Sequence, residues 1–236
     1  MRSLPIYFAA LVALALMGFG LKFFPFPDPV KPLYAAEIVN QEIAKLNEAA
    51  PKFPRKPLLP ADVKIVLEGG HGSAVHIGNG IFLTAAHVVN KQTKPFSIKL
   101  HDGSVRKAET LWFNTKYDIA LVAASGDGLS ISDLQCRELD TGESIRIEGN
   151  PTIMEFVSAT GKIAGAGRKI GFWERVQVVD ITILPGQSGG PVYDASGKLV
   201  GITVGVATFG MGWSASPTGF GFVVPGKAIC PLLARA

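Results

Sequence analysis

From Ala61 onward the chain is divided into short apolar or alternating runs by turn residues, a punctuation that strands joined by tight turns satisfy and long helices do not. The runs are Lys64–Leu67, Ala74–Ile77, Ile81–Thr84, Phe96–His101, Val105–Phe113 and Ile119–Ala123, with hairpin signals at Gly78-Asn79-Gly80 and Asp102-Gly103. A looser stretch, Ser125 to Asp133, interrupts the pattern. It resumes with Ser144–Glu148, Glu155–Ala159, Glu174–Asp180, Leu199–Val204 and Phe220–Val224. With 27 glycines and 16 prolines in 236 residues, the composition agrees with an all-β domain. The spacing predicts two β-barrels, about 61–125 and 140–226, joined by a connector, with Lys227–Ala236 as a short C-terminal helix.

The part before this domain has a different character. Residues Leu4 to Leu21 form 18 uncharged, mostly apolar positions between Arg2 and Lys22. That is close to the roughly 17–25 residues that span a bilayer. A signal peptide and an uncleaved membrane anchor both fit residues 1–24, and the only small-x-small pattern near the end of the run, Gly18-Phe19-Gly20, is a weak cleavage site and favours the anchor. Residues 25–60 hold an amphipathic helix signal, Glu37–Ala50 with Val39, Ile43, Leu46 and Ala50 on one face, and a tether with prolines 51, 54, 57 and 60. The remainder, 61–236, is therefore expected outside the cytoplasm, secreted or held on a membrane by its N-terminal segment.

The net charge of +4 is mild and its basic residues are scattered, so nucleic acid is not an expected partner. Two cysteines, Cys136 and Cys230, make neither a disulfide framework nor a metal-ligand set; one bridge and two separate thiols both remain open. No metal or other cofactor is called for.

Three motifs carry chemistry. In LPGQSGGPVY, Leu184 to Tyr193, glycines 186, 189 and 190 surround Ser188. An attacking serine needs its hydroxyl on a tight turn, with backbone N–H groups aimed at the developing oxyanion. Alone, such a segment is no more than a hairpin turn. In IFLTAAHVV, Ile81 to Val89, the small Ala85 and Ala86 let the backbone turn closely and present His87 to a cleft, although a lone histidine beside apolar residues is more often structural. In YDIALV, Asp118 enters an apolar strand, where it is either a turn residue or a buried carboxylate that orients a histidine.

Together the three stand in the order His, Asp, Ser, the order of the chymotrypsin arrangement. Here the sequence resembles the trypsin-like serine proteases, and within them the bacterial HtrA/Deg-type branch. GSAVHIGNGIFLTAAHVV, YDIALV, GESIRIEGNP, SATGKIAGAGR, LPGQSGGPVYDASGKLVGI and TGFGFVVP all look like that branch, in order, over about residues 70–226. The resemblance implies two perpendicular six-stranded antiparallel barrels with the active site between them. It implies Ser188 as nucleophile, His87 as general acid and base, Asp118 as its orienting partner, and the N–H groups of Gly186 and Ser188 as oxyanion hole. The segment Thr203, Val204, Gly205 and Val206 would pair with an extended or unfolded polypeptide substrate as an added strand. The specificity pocket would have Thr182 at its base, six residues before the nucleophile, with walls through Val206, Gly219 and Gly221. All are uncharged, which implies cleavage after small or medium apolar residues; a two-residue slip would instead bring Asp180 into the pocket.

The chain also departs from the family. Gln187 stands where many members carry an aspartate that pairs with a freed N-terminus, so activation by insertion of a new N-terminus is not expected. The strand that often offers a serine hydroxyl to the catalytic carboxylate has Thr203 and Val204. Few residues follow the last motif, which implies that no PDZ domain is attached. The competing readings are a protease-like binding module without catalysis and a serine esterase; retention of all three triad residues weighs against the first.

Overall fold

The computed structural model describes residues 37–43, 45, 57–211 and 214–235. The expected apolar helix over Leu4–Leu21 and most of the proline tether lie outside the described residues. Residues 37–43 are helical with exposed side chains, Val39 and Ile43 included. No helix among the described residues is long and apolar enough to cross a membrane.

The first six strands are β1 (Asp62–Leu67), β2 (Gly70–Gly78), β3 (Ile81–Thr84), β4 (Phe96–Lys99), β5 (Val105–Asn114) and β6 (Ile119–Ala124). They form a closed antiparallel barrel in the order β1-β2-β3-β6-β5-β4, in which β4 returns to β1 with Ile98 opposite Ile65. The Asn79-Gly80 turn joins β2 to β3 with both residues at positive φ, 52° and 70°, as a two-residue hairpin requires. Alternate positions point inward, and Val63, Ile65, Phe82, Ile98 and Val122 make a fully buried core.

A second barrel follows the same plan with β7 (Ser144–Gly149), β8 (Val157–Ile170), β9 (Trp173–Val179), β10 (Pro191–Asp194), β11 (Leu199–Met211) and β12 (Ser214–Pro225). It closes where Val192 of β10 pairs with Ile147 of β7. In β7 the isoleucines at 145 and 147 are buried while Ser144 is exposed and Arg146 and Glu148 are partly so, the period-2 pattern of a half-buried strand. Its core contains Ile145, Ile147, Ile163, Val179, Ile183, Val192 and Val223.

A third apolar cluster joins the two barrels. Val75, Leu83 and Ile119 of the first pack with Ile202, Val204, Phe222 and Val224 of the second, and with Ala228 and Ile229 of the C-terminal helix Gly226–Leu233. Each fully buried aliphatic side chain contributes about 1.5–3 kcal/mol, so this layer fixes one barrel against the other. The two cysteines form one disulfide, Cys136–Cys230, which ties the connector between the barrels to the C-terminal helix.

Candidate active site

His87 sits in the one-turn helix Ala86–Val89 that follows β3. Ala85 and Ala86 are fully buried, whereas the His87 side chain is 45% exposed. Asp118 closes the turn between β5 and β6 at φ 58°, a left-handed conformation that the short polar aspartate tolerates. Its side chain is 3% exposed. Asp118 Oδ1 accepts the backbone N–H of His87 at 2.8 Å, and Oδ2 accepts Nδ1–H of the same residue at 2.7 Å. Oδ2 also accepts the indole Nε1–H of Trp173, at 3.0 Å. Burial pushes the Asp118 carboxyl up, but the hydrogen bonds and charge of His87 and the bond from Trp173 outweigh it and hold the group below the ordinary carboxylate value. An ionised carboxylate only accepts, so Nδ1 carries the imidazole proton and Nε2 is left to act as a base.

Ser188 lies in the turn that enters β10. Gly186 and Gly189 have φ of +98° and +83°. A Cβ on Gly189 would stand 2.1 Å from Thr84 Oγ1, so glycine is required there by both dihedral and space. Among the described residues the N–H groups of Gly186 and Ser188 donate to no protein acceptor, whereas those of Gln187, Gly189 and Gly190 are bonded to Leu184, Thr203 and Gln187. Ser188 and His87 line one open depression of about 440 Å³, together with Gly186 and Pro185. No hydrogen bond joins Ser188 Oγ to the His87 ring.

The turn is braced from the other barrel. Ser73 of β2, fully buried, donates its hydroxyl to Gly186 O at 2.8 Å and accepts both Asn150 N–H and Asn150 Nδ2–H at 3.0 Å. His71 Nε2 lies 2.9 Å from Asn150 O. Gln187 closes the turn from within, its Oε1 accepting Leu184 N–H at 2.8 Å. Ser73, Asn150 and Trp173 escape a reading of local motifs, because each acts across the barrel interface.

The residues expected to bind substrate divide. Gly205 and Val206 line the depression. Thr203 does not: it is fully buried, its N–H donates to Gly190 O at 2.9 Å and its carbonyl accepts Gly189 N–H at 2.8 Å, so its backbone is committed to the Ser188 turn. Val204 is buried in the layer between the barrels. Gly219 is exposed at φ +92° and lies off the depression. Thr182 also lies off it, and the lining residue is Ile183. Past the end of β9 at Val179, Ile181 and Ile183 are buried, Thr182 is half-buried and Asp180 is exposed, so of these Ile183 is the one that reaches the depression. Gly221 backs Ile183 closely, a Cβ there falling 2.6 Å from Ile183 Cδ1. Asp180 instead accepts Lys162 N–H and borders a separate depression with Arg146 and Asp194. Among the described residues no group of three or more His, Cys, Asp or Glu side chains is placed to hold a metal ion.

Comparison with known proteins matches residues 72–202, more than half of the chain, to the family model of the trypsin-like peptidase domain. The putative serine protease HhoB of Synechocystis sp. is 31% identical over 166 residues, 67% of this chain and 38% of HhoB. A probable periplasmic serine endoprotease, DegP-like, of Halomonas elongata is 29% identical over 150 residues, 62% of this chain and 31% of the relative. The chain thus spans less than half the length of either. Among solved structures, the HtrA-type protease AlgW with tripeptide superposes with a TM-score of 0.65 at 26% identity, over 76% of this chain and 60% of that one. The serine endoprotease from Yersinia pestis gives the same TM-score at 23% identity, over 76% and 63%.

Proposed function

The chain belongs to the trypsin-like peptidase family, and from that premise we propose that it is a serine endopeptidase working through Ser188, His87 and Asp118. The observation that carries this reading is the Asp118–His87 pair, joined at 2.7 Å, opening onto the same depression as a serine on a glycine turn with two undonated N–H groups. In the proposed reaction Ser188 Oγ attacks the scissile carbonyl carbon while His87 Nε2 takes its proton. The tetrahedral oxyanion is received by the N–H groups of Gly186 and Ser188. The C–N bond then breaks, His87 passes the proton to the leaving amine, and water resolves the acyl-enzyme by the same route in reverse. The Ser188–His87 hydrogen bond forms as substrate fills the site, as such contacts tighten in the Michaelis complex.

The substrate is an extended polypeptide that adds a strand along β11 at Gly205 and Val206, beyond the part of β11 that β10 covers. Its side chain before the cut meets Ile183 in front of Gly221, an apolar and shallow floor. A small or medium aliphatic group gains about 1–3 kcal/mol by burial there, whereas Arg or Lys would lose hydration without an ion pair. The perpendicular setting of the barrels belongs to this reading as well. So does an extracytoplasmic location, supported by the periplasmic DegP-like relative, the disulfide and the apolar Leu4–Leu21 run.

A fluorophosphonate probe tests the assignment. It should label the wild-type chain and spare Ser188→Ala, whose peptide turnover falls about a million-fold. On a peptide library the wild type should cut after Val, Ala, Ile or Leu. Equal labelling of both chains would overturn the assignment of Ser188, and a preference for Arg or Lys would overturn the apolar pocket.

A further inference from the structure

The buried carboxylate of Asp118 is held by three hydrogen bonds, and only two of them come from His87. The third comes from Trp173, 55 residues further on and in the other barrel. In the resembling family a hydroxyl on the strand corresponding to β11 often has this role. None is supplied: Thr203 Oγ1 donates to Gln187 O at 2.5 Å, and Val204 has no donor.

Trp173 is placed for the task by its own element. It opens β9 directly after the tight Gly171-Phe172 turn of the β8–β9 hairpin, where Ile170 pairs with Trp173 and Gly171 has φ +56°. The next residue, Glu174, donates its N–H to Lys116 O at 3.0 Å, which fastens the hairpin tip to the turn that carries Asp118. The indole packs on Phe222 with 5.3 Å between ring centroids. On another side it lies against Gly205, where an added Cβ would stand 2.6 Å from Trp173 Cη2. A side chain at 205 and the indole therefore compete for one space.

We propose that Trp173 is the positioning residue of Asp118, taking the place of a strand hydroxyl, and that position 205 is glycine in order to admit its ring. The role follows from direction as well as proximity. Oδ2 carries the bond to the His87 Nδ1–H, and a second donor on the same oxygen fixes the plane of the carboxylate and with it the aim of the imidazole. Because Gly205 also lines the depression, the ring that steadies the carboxylate supports the strand edge on which substrate is proposed to lie. The inference rests on the peptidase reading, and its test separates the two.

Two variants of the full chain remove the N–H: Trp173→Phe, which keeps only a single aromatic ring, and replacement of Trp173 by 3-benzothienylalanine, a near-isostere that keeps the bicycle with sulfur in place of N–H. In both, kcat on a peptide should fall about tenfold, the worth of one hydrogen bond to a charged acceptor, with KM within about twofold of wild type. In both, the ¹³C-carboxyl titration of Asp118 should move to higher pH, since the indole helps to hold that group down. The titration needs no turnover. A shifted titration in a chain that cleaves nothing would overturn the peptidase reading and keep the positioning role. Wild-type kcat and an unmoved titration in the folded benzothienyl variant would overturn the positioning role and keep the peptidase. If Trp173→Phe fails to fold, the near-isostere decides alone.

Discussion

Ser73 shows how much a single side chain on the first barrel does for a turn on the second. Its hydroxyl is the donor to Gly186 O and the acceptor for both Asn150 donors, and its own N–H bonds Ser188 O at 2.9 Å. The carbonyl of Gly186 is thereby fixed, and fixing it orients the peptide plane between the two N–H groups proposed for the oxyanion. Ser73→Ala keeps the backbone bond but leaves Asn150 N–H, Asn150 Nδ2–H and Gly186 O without this partner in a buried place. Each unsatisfied buried group costs about 1–3 kcal/mol. The variant should lose about 3 kcal/mol or more in denaturant unfolding and should also lose kcat, because the turn is freed to rotate away from the oxyanion geometry. Unchanged kcat in a destabilised variant would reduce Ser73 to a packing role. Motif reading could not single Ser73 out, since it is one small polar residue in a continuously buried stretch of β2; what gives it a function is the partner brought to it by the second barrel.

At the scale of elements, the turn Asp194–Lys198 between β10 and β11 is organised by one carboxylate. Asp194 Oδ1 accepts the N–H of Ser196 at 2.9 Å, the N–H of Lys198 at 3.1 Å and the Ser196 hydroxyl at 2.6 Å, while Oδ2 accepts Arg137 from the connector at 2.9 Å. Burial pushes this carboxyl up, but these donors prevail and lower it from 3.8 to about 2. A carboxylate depressed in the folded state adds stability that is fully present above its unfolded value and disappears as pH falls through the folded one. The wild type should therefore lose stability between about pH 4 and pH 2, and Asp194→Asn should be less stable at neutral pH with a shallower loss over that window. Parallel acid-unfolding curves for the two chains would refute this. The element pattern itself was legible where local chemistry dictates it. The Asn79-Gly80 hairpin and the alternation of β7 follow from residue types alone. Strand β10 was not anticipated, because it is only four residues long, begins with Pro191 and is read first as part of the serine motif. Strand β8 runs to 14 residues, Val157 to Ile170, a Gly- and Ala-rich stretch with weak strand propensity that becomes a strand by pairing with β7 and β9. Spacing alone does not say which residue faces the pocket, because β9 ends at Val179 and the chain from there to Ser188 is irregular.

For the molecule as a whole, the open question is what keeps the Ser188 turn in working shape, and the answer bears on whether the chain must be cut before it acts. In relatives activated by cleavage, the residue before the serine is an aspartate that forms a buried ion pair with a new N-terminus. Here that residue is Gln187, 3% exposed and neutral, with its Oε1 on Leu184 N–H and its carbonyl accepting Gly190 N–H at 2.9 Å and Thr203 Oγ1. Burying an ammonium beside it would cost several kcal/mol with no opposite charge to recover it. The work of the ion pair is instead shared by Gln187 within the turn, by Asn150 beside it, and by Ser73 and His71 from across the interface, all of them present before any cleavage. The upstream chain, by contrast, meets the barrels at Leu59, whose N–H and carbonyl bond Gly128 O and Ser130 N–H at 2.9 and 2.8 Å. This anchor lies beside the connector. Chains that begin anywhere between residues 51 and 57 should keep the Leu59 contacts and share one specific activity, whatever their first residue, and acetylating their N-termini should change nothing. Peptide turnover of such a truncation series, measured before and after acetylation, checks this. Activity confined to a single start point and abolished by acetylation would show that a free terminus reaches the Ser188 turn after all.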